Sequence, residues 1–389
     1  MDYERLLNPT LVATQPSGIR RFFDMAAELE DVIALTIGEP DFSTPWHIRQ
    51  AGIQTLEKGK TWYSPNAGFA ALRQSIANYL SRRFSLNYDP AHEVVVTVGG
   101  SEAIDLTFRA VVGPEDEVLI PSPSFVCYSP LAQLAGGKAV PLVTRAEDDF
   151  RLTAEALKAA ITPKTKLLVL PFPNNPTGAV MRKEHLEEIA AVLRGTDILV
   201  LSDEIYGELT YGAEEHVSIA SLPDMWERTI LVSGFSKAYA MTGWRLGYCC
   251  GPQPIIQQIL KLHQYGIMSA PTTAQYAAIE ALDNGDEDVA AMRAEYDSRR
   301  RLIVDGFRKL GMPCFEPEGA FYCFPSVTIT GLTSEEFCRR LLQEKHVAVV
   351  PGTAFGDCGE GFIRVSYCYS VKHIREALKR IGEFLEDYQ

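Results

Sequence analysis

The sequence predicts an α/β protein: a large domain with a mostly parallel sheet flanked by helices, and a smaller α+β domain at the C-terminal end. Three observations carry this reading. Apolar runs alternate with helical patterns between about residues 90 and 250. Past residue 285 the chain turns charged and helical, then breaks into short strand-like runs. Its 389 residues are also too many for one ordinary core.

The first 45 residues are rich in Pro, Gly and aromatics and are expected to form an arm (1–45) packing with the small domain. The large domain is expected over 46–285. Its candidate strands are Glu93–Val98, Glu117–Ile120, Lys166–Leu170, Ile198–Leu201, Thr229–Val232 and Leu246–Cys250. Between the third and fourth lies KEHLEEIAAVLR, whose Leu186, Ile189, Ala190 and Leu193 share one helix face. Strands alternating with helices need crossover connections, which parallel neighbours require. Asn284-Gly285 is a turn signal, and the small domain is expected over 286–389. It opens with a charged helical stretch, Glu287–Leu310, and passes through AFYCF, VAVVP and FIRVSY. A final helix then carries Ile374, Ala377, Leu378 and Ile381 on one face. No internal repeat or low-complexity segment interrupts the chain.

Composition narrows the function. A formal net charge of −13 and the lack of a basic stripe argue against nucleic acid as a partner. An anionic substrate must then be held by a few placed arginines. The eight cysteines form no C-x-x-C pair, and the start carries no signal-peptide pattern, so free thiols in a reducing cytoplasm are expected. The seven histidines are dispersed without H-E-x-x-H, and no metal site is expected. No apolar run approaches the ~20 residues that span a bilayer, so no membrane partner is expected.

In an open parallel sheet, ligands bind beyond the carboxyl ends of the strands. After VVVTV come Gly99, Gly100, Ser101 and Glu102; after VLI comes PSPSFVCY, with Phe125; after LLVL comes PFPNNPTG, with Asn175. After ILVL come Ser202, Asp203 and Tyr206, and after TILV come Ser233, Ser236 and Lys237, with Arg245 downstream. Backbone N–H groups at Gly100, Ser101 and Glu102, on a helix start, suit a phosphate. Arg245 with Ser233 or Ser236 adds donors to the same anion. Burial would deprotonate Lys237 and make it a Schiff-base nucleophile. Asp203 suits a protonated pyridine nitrogen. Each residue alone has an ordinary reading, as helix cap, core aromatic, turn loop or surface charge. Their convergence on one sheet edge is what argues for a site.

These residues resemble the pyridoxal-phosphate attachment signature of the class I/II aminotransferases. The match runs through Gly234, Phe235, Ser236 and Lys237, then Ala240, Met241, Gly243, Arg245 and Gly247. It continues in order through GEPDF, TWYSPNAGFAALR, NNPTG, SDEIY and FIRVSY, over nearly the whole chain. The overall look is similar to the bacterial aspartate and aromatic aminotransferases of fold type I.

The resemblance implies a transaminase of amino-acid metabolism, moving an amino group between an L-amino acid and a 2-oxo acid by a ping-pong cycle. Lys237 would carry the cofactor as an internal aldimine and then shuttle the substrate's proton. Asp203 would bond the pyridine nitrogen, and Tyr206 and Asn175 the ring's phenolic oxygen. Phe125 would stack on the ring, where the family often has Trp. Gly100, Ser101, Glu102, Ser233 or Ser236, and Arg245 would hold the phosphate. Arg364 would take the substrate α-carboxylate as a bidentate pair, with help from Gly38 and Asn175. Tyr63 would reach the phosphate of a neighbouring subunit, making a homodimer part of the active site.

Three other readings compete. A cysteine-S-conjugate β-lyase on the same scaffold would use the same lysine to expel a β-substituent. A ligand-sensing regulator would need an added DNA-binding segment, and the match starting near residue 15 leaves no room for one. A dehydrogenase would need G-x-G-x-x-G after the first strand, which is absent. For substrate choice, Gly18, Ile19, Arg20, Arg21 and Arg109 are candidates: an arginine at the side-chain pocket would favour a dicarboxylate, and Ile19 an apolar or aromatic amino acid.

Overall fold

A computed structural model describes every residue except Asp2, Glu4, Ser17, Glu28, Ala213, Glu214 and Gln389, and except the side chains of Arg20, Phe23, Asp24, Ala26 and Ala27. In chain order the strands are β1 (Ile33–Ala34), β2 (Val94–Thr97), β3 (Glu117–Ser122), β4 (Lys138–Val143), β5 (Thr165–Leu170) and β6 (Leu199–Asp203). They continue as β7 (Thr229–Gly234), β8 (Gly247–Cys250), β9 (Tyr322–Cys323), β10 (Val347–Ala348), β11 (Val350–Pro351) and β12 (Ile363–Ser366).

Seven strands form the large sheet in the order β2-β8-β7-β6-β5-β3-β4. Helices cover it on both faces, so the inner strands are buried throughout and their sequences are unbroken apolar runs. All neighbours are parallel except β8, which runs against both β2 and β7. That reversal matters for the site. The parallel strands end at one edge, and β8 begins there, so Arg245, two residues before it, lies on the edge where Lys237 follows β7.

The helix Lys183–Leu193 buries Leu186, Ile189, Ala190 and Leu193, the face its spacing predicts. The sixth candidate strand corresponds to β8, which the alternation of elements did not reveal as antiparallel. The edge strand β4 was not expected at all: half exposed and carrying Pro141, it looks like a loop.

The C-terminal residues build a second, three-stranded antiparallel sheet, β11-β12-β9, flanked by the helices Asp286–Lys309, Ser334–Lys345 and Val371–Leu385. Three acids in the first turn of Asp286–Lys309 and Arg308 and Lys309 in its last complement the helix dipole. Val365 pairs with Cys323 and Ser366 with Tyr322. Tyr322 and Arg364 therefore rise from the same face of this sheet. The arm crosses back to pair β1 in parallel with β10, which carries Thr36 to Glu39 past β12.

Candidate active site

One cavity of about 510 Å³ opens where the edge of the large sheet faces the small one. Its walls include Gly100, Ser101, Phe125, Asn175, Asp203, Tyr206, Ser236, Lys237 and Arg245 from the large-sheet loops, with Gly38 from the arm and Arg364 from β12. These residues are up to 326 positions apart and come together because each stands just past a strand end or faces that edge.

The anion end is built from backbone. Gly99 opens the helix Gly99–Val111 at φ 77°, and a Cβ there would sit 2.7 Å from an Arg245 guanidinium nitrogen. A Cβ on Gly247 would lie 2.5 Å from the Gly100 nitrogen. Only glycine lets arginine and helix start approach this closely. The arrangement leaves N–H groups, the positive end of a helix and a guanidinium around one space, which suits a phosphate. Ser236 lines this space. Ser233 does not; it lies within β7, and its hydroxyl donates to the Glu204 carbonyl at 3.3 Å. Glu102 contributes no side chain to the cavity wall.

At the floor, the buried Asp203 carboxylate accepts the Tyr128 hydroxyl at 2.7 Å and the Ile205 N–H at 3.2 Å. Burial raises its pKa, while these two hydrogen bonds pull it back. A carboxylate so enclosed suits a cationic N–H partner.

The Lys237 amine donates to the Gly38 carbonyl at 2.5 Å. Desolvation brings its pKa down to about 8, so the neutral, nucleophilic amine is far more populated near physiological pH than on an ordinary lysine. Tyr206 and Tyr322 share a hydroxyl–hydroxyl bond, and burial raises the pKa of both phenols.

Arg364 is buried between the rings of Tyr322 and Phe355, 4.6 and 4.8 Å from its guanidinium carbon. It donates to Asn175 Oδ1 at 3.0 Å and to the Thr36 carbonyl at 2.5 Å. Its Nε has no partner among the described residues. A buried guanidinium with a free N–H, facing a cavity, is prepared for a carboxylate. A phosphorylated pyridine aldehyde fits this donor set: anion cradle, acid floor, amine, aromatic wall at Phe125, and a carboxylate clamp for a second molecule.

Of the remaining sequence candidates, Tyr63, Arg21, Arg109 and Gly18 lie outside the cavity. Tyr63 is 78% exposed and outside the cavity. Arg21 pairs with Glu335, and Arg109 with Asp105 on its own helix. Gly18 packs near Ala354, and the Arg20 side chain is outside the described residues. Ile19 does line the cavity, beside Ile37. Tyr128 and Tyr322 were not foreseen. Tyr128 starts a helix six residues after β3 and looks like a core aromatic, and Tyr322 sits inside a run read only as a strand.

Known proteins resemble this chain along nearly its whole length. A profile described as "Aminotransferase class I and II" matches residues 30–381. The YugH protein of Bacillus subtilis is 52% identical over 371 residues, 95% of this chain and 96% of that one. The aspartate aminotransferase of Pyrococcus abyssi is 45% identical over 383 residues, covering 98% of both. The solved aspartate aminotransferase of Thermus thermophilus with maleate superposes with a TM-score of 0.93 at 40% identity, covering 97% of this chain and 99% of that one.

Proposed function

The chain belongs to the class I and II aminotransferases, enzymes that depend on pyridoxal phosphate, and from that premise we propose how its own residues divide the work of transamination. When bound, the cofactor supplies an electron sink for the charge left at the substrate Cα. Gly100, Ser101 and Glu102 N–H groups, Ser236 and Arg245 would hold its phosphate; Asp203 its ring nitrogen; Asn175 and Tyr206 its phenolic oxygen; and Phe125 one face.

Asp203 keeps the proton on the ring nitrogen, because a buried carboxylate is costly without a cationic partner. Arg364 takes the substrate α-carboxylate, with the Gly38 N–H and Asn175 beside it, and so fixes which bond at Cα faces Lys237. Lys237, lowered in pKa by burial, moves the proton at Cα. No observation favours the β-lyase reading.

The observation that carries this division is the convergence of Asp203, Lys237, Arg245 and Arg364 on one cavity from three chain segments, the end of β6, the β7–β8 connection and β12. Its test is Lys237→Ala. The variant should retain cofactor through the phosphate contacts and lose turnover; near-normal transamination would contradict the assignment.

The same proposal includes a homodimer, in which Tyr63 completes the phosphate site of the partner. Exposure of Trp62 at 62%, Tyr63 at 78% and Tyr265 at 92% supports it, since large bare aromatics mark interfaces. It also includes an arm (1–45), a large domain (46–285) and a small domain (286–389), consistent with the β1–β10 pairing and the helix beginning at Asp286. Eight free cysteines support a cytoplasmic setting. The apolar wall of Ile19 and Ile37 supports substrates with apolar or aromatic side chains, testable with a panel of amino acids.

A further inference from the structure

The helix that opens at the anion cradle is clasped from behind. Glu102, in its first turn, reaches back so that one carboxylate oxygen accepts the Val98 N–H at 2.5 Å. The other lies 2.7 Å from Nδ1 of His263, on the neighbouring helix Gln253–Gly266. His263 is 0% exposed, and its Nε2 has no partner among the described residues. The bond to a carboxylate requires hydrogen on Nδ1. Glu102 is therefore the one hydrogen-bond partner of this buried imidazole among the described residues.

The turn from Val98 to Ser101 is thus gripped on two sides. Arg245 presses on it from the cavity side and Gly247 from β8, through the close approaches at Gly99 and Gly100. Glu102 grips it from the other side, and His263 holds Glu102. The carboxylate also needs holding for an electrostatic reason. An acid at a helix N-terminus competes with an anionic ligand for the same positive field.

We propose that His263 is a positioning residue for the phosphate cradle: through its hydrogen bond to Glu102 it fixes the Val98–Ser101 turn and keeps that carboxylate out of the cavity. The proposal rests on the reading of Gly100, Ser101 and Arg245 as the phosphate site.

The test reads cofactor retention. Holo-protein is prepared as His263→Leu, Glu102→Ala, the double variant, and His263→Asn, whose amide N–H can replace Nδ1–H. Release of pyridoxal phosphate into a trapping reagent is followed by absorbance, and the apo-proteins are titrated with pyridoxal, which has no phosphate. His263→Leu should speed release about tenfold, the size expected from stranding one buried partner, and leave pyridoxal affinity unchanged. The double variant should lose no more than Glu102→Ala alone, and His263→Asn should recover most of the loss. Equal losses for both ligands, additive losses, or no change would overturn the proposal. If His263→Leu does not fold, Glu102→Ala makes the same comparison between the two ligands. Arg245→Leu separates the two levels. If it leaves the preference for the phosphorylated ligand intact, the phosphate reading fails and the proposal falls with it. If it lowers that preference while the His263 and Glu102 variants do not, the proposal alone fails.

Discussion

Tyr206 and Tyr322 meet hydroxyl to hydroxyl at 2.9 Å, joining the loop after β6 to β9 of the small sheet. Tyr322 also lies under the Arg364 guanidinium, so one ring touches both the residue assigned to the cofactor's oxygen and the residue assigned to the substrate's carboxylate. Tyr322→Phe keeps the ring under Arg364 and removes only the hydroxyl. It should lower kcat about tenfold with little change in KM, because the lost bond supports Tyr206 and not substrate binding. Steady-state kinetics check this; an effect confined to KM would contradict it.

Gly38 sits against the same hydroxyl. A Cβ at this position would lie 1.8 Å from the Tyr322 oxygen and 2.9 Å from the ring carbon bearing it. Gly38→Ala should reduce kcat/KM by about a hundredfold or more, by displacing Tyr322 or the carbonyl that holds Lys237. Adding Tyr322→Phe removes the nearest clash and should restore part of the loss, which a double-mutant cycle measures.

Asp203 gives a prediction with opposite signs for stability and activity. Its folded-state pKa stands above the ordinary 3.8, so the folded apo-protein binds this proton more tightly than the unfolded chain does. The contribution is full at low pH and is lost as pH rises through the raised value, leaving the ionised group as a cost at neutral pH. Asp203→Asn should therefore raise the melting temperature of apo-protein at pH 7 while abolishing turnover. Tyr128→Phe removes a bond that favours the ionised form and should lower that melting temperature. Calorimetry on the two apo-proteins decides.

Lys237 has its amine lowered from 10.5 to about 8 by desolvation. Between these values the unfolded chain carries the proton and the folded one does not, so this group makes apo-protein more stable as pH rises across that window. Capture of pyridoxal phosphate by apo-protein should rise with pH to half its maximum near 8. A half-maximum near 10.5 would mean the amine is solvated.

Much of the site is legible in the sequence for one physical reason. A strand buried on both faces is an unbroken apolar run, so the first polar residues after it mark the sheet edge; Gly100, Asn175, Asp203 and Lys237 are all found that way. Groups whose partners are distant in the chain are not legible. Tyr128 finds Asp203 75 positions on, Tyr322 finds Tyr206 116 positions back, and His263 finds Glu102 161 positions back. Nothing local distinguishes these from core residues. The choice between Ser233 and Ser236 was hidden because β7 runs to Gly234, two residues beyond its apolar run.

The central claim is that Lys237 is the residue that bonds the cofactor. Holo-protein reduced with borohydride, digested and analysed by peptide mass spectrometry tests it most directly. The account predicts a pyridoxyl-phosphate mass on the peptide containing Lys237 and on no other lysine; a label elsewhere, or none, would contradict it.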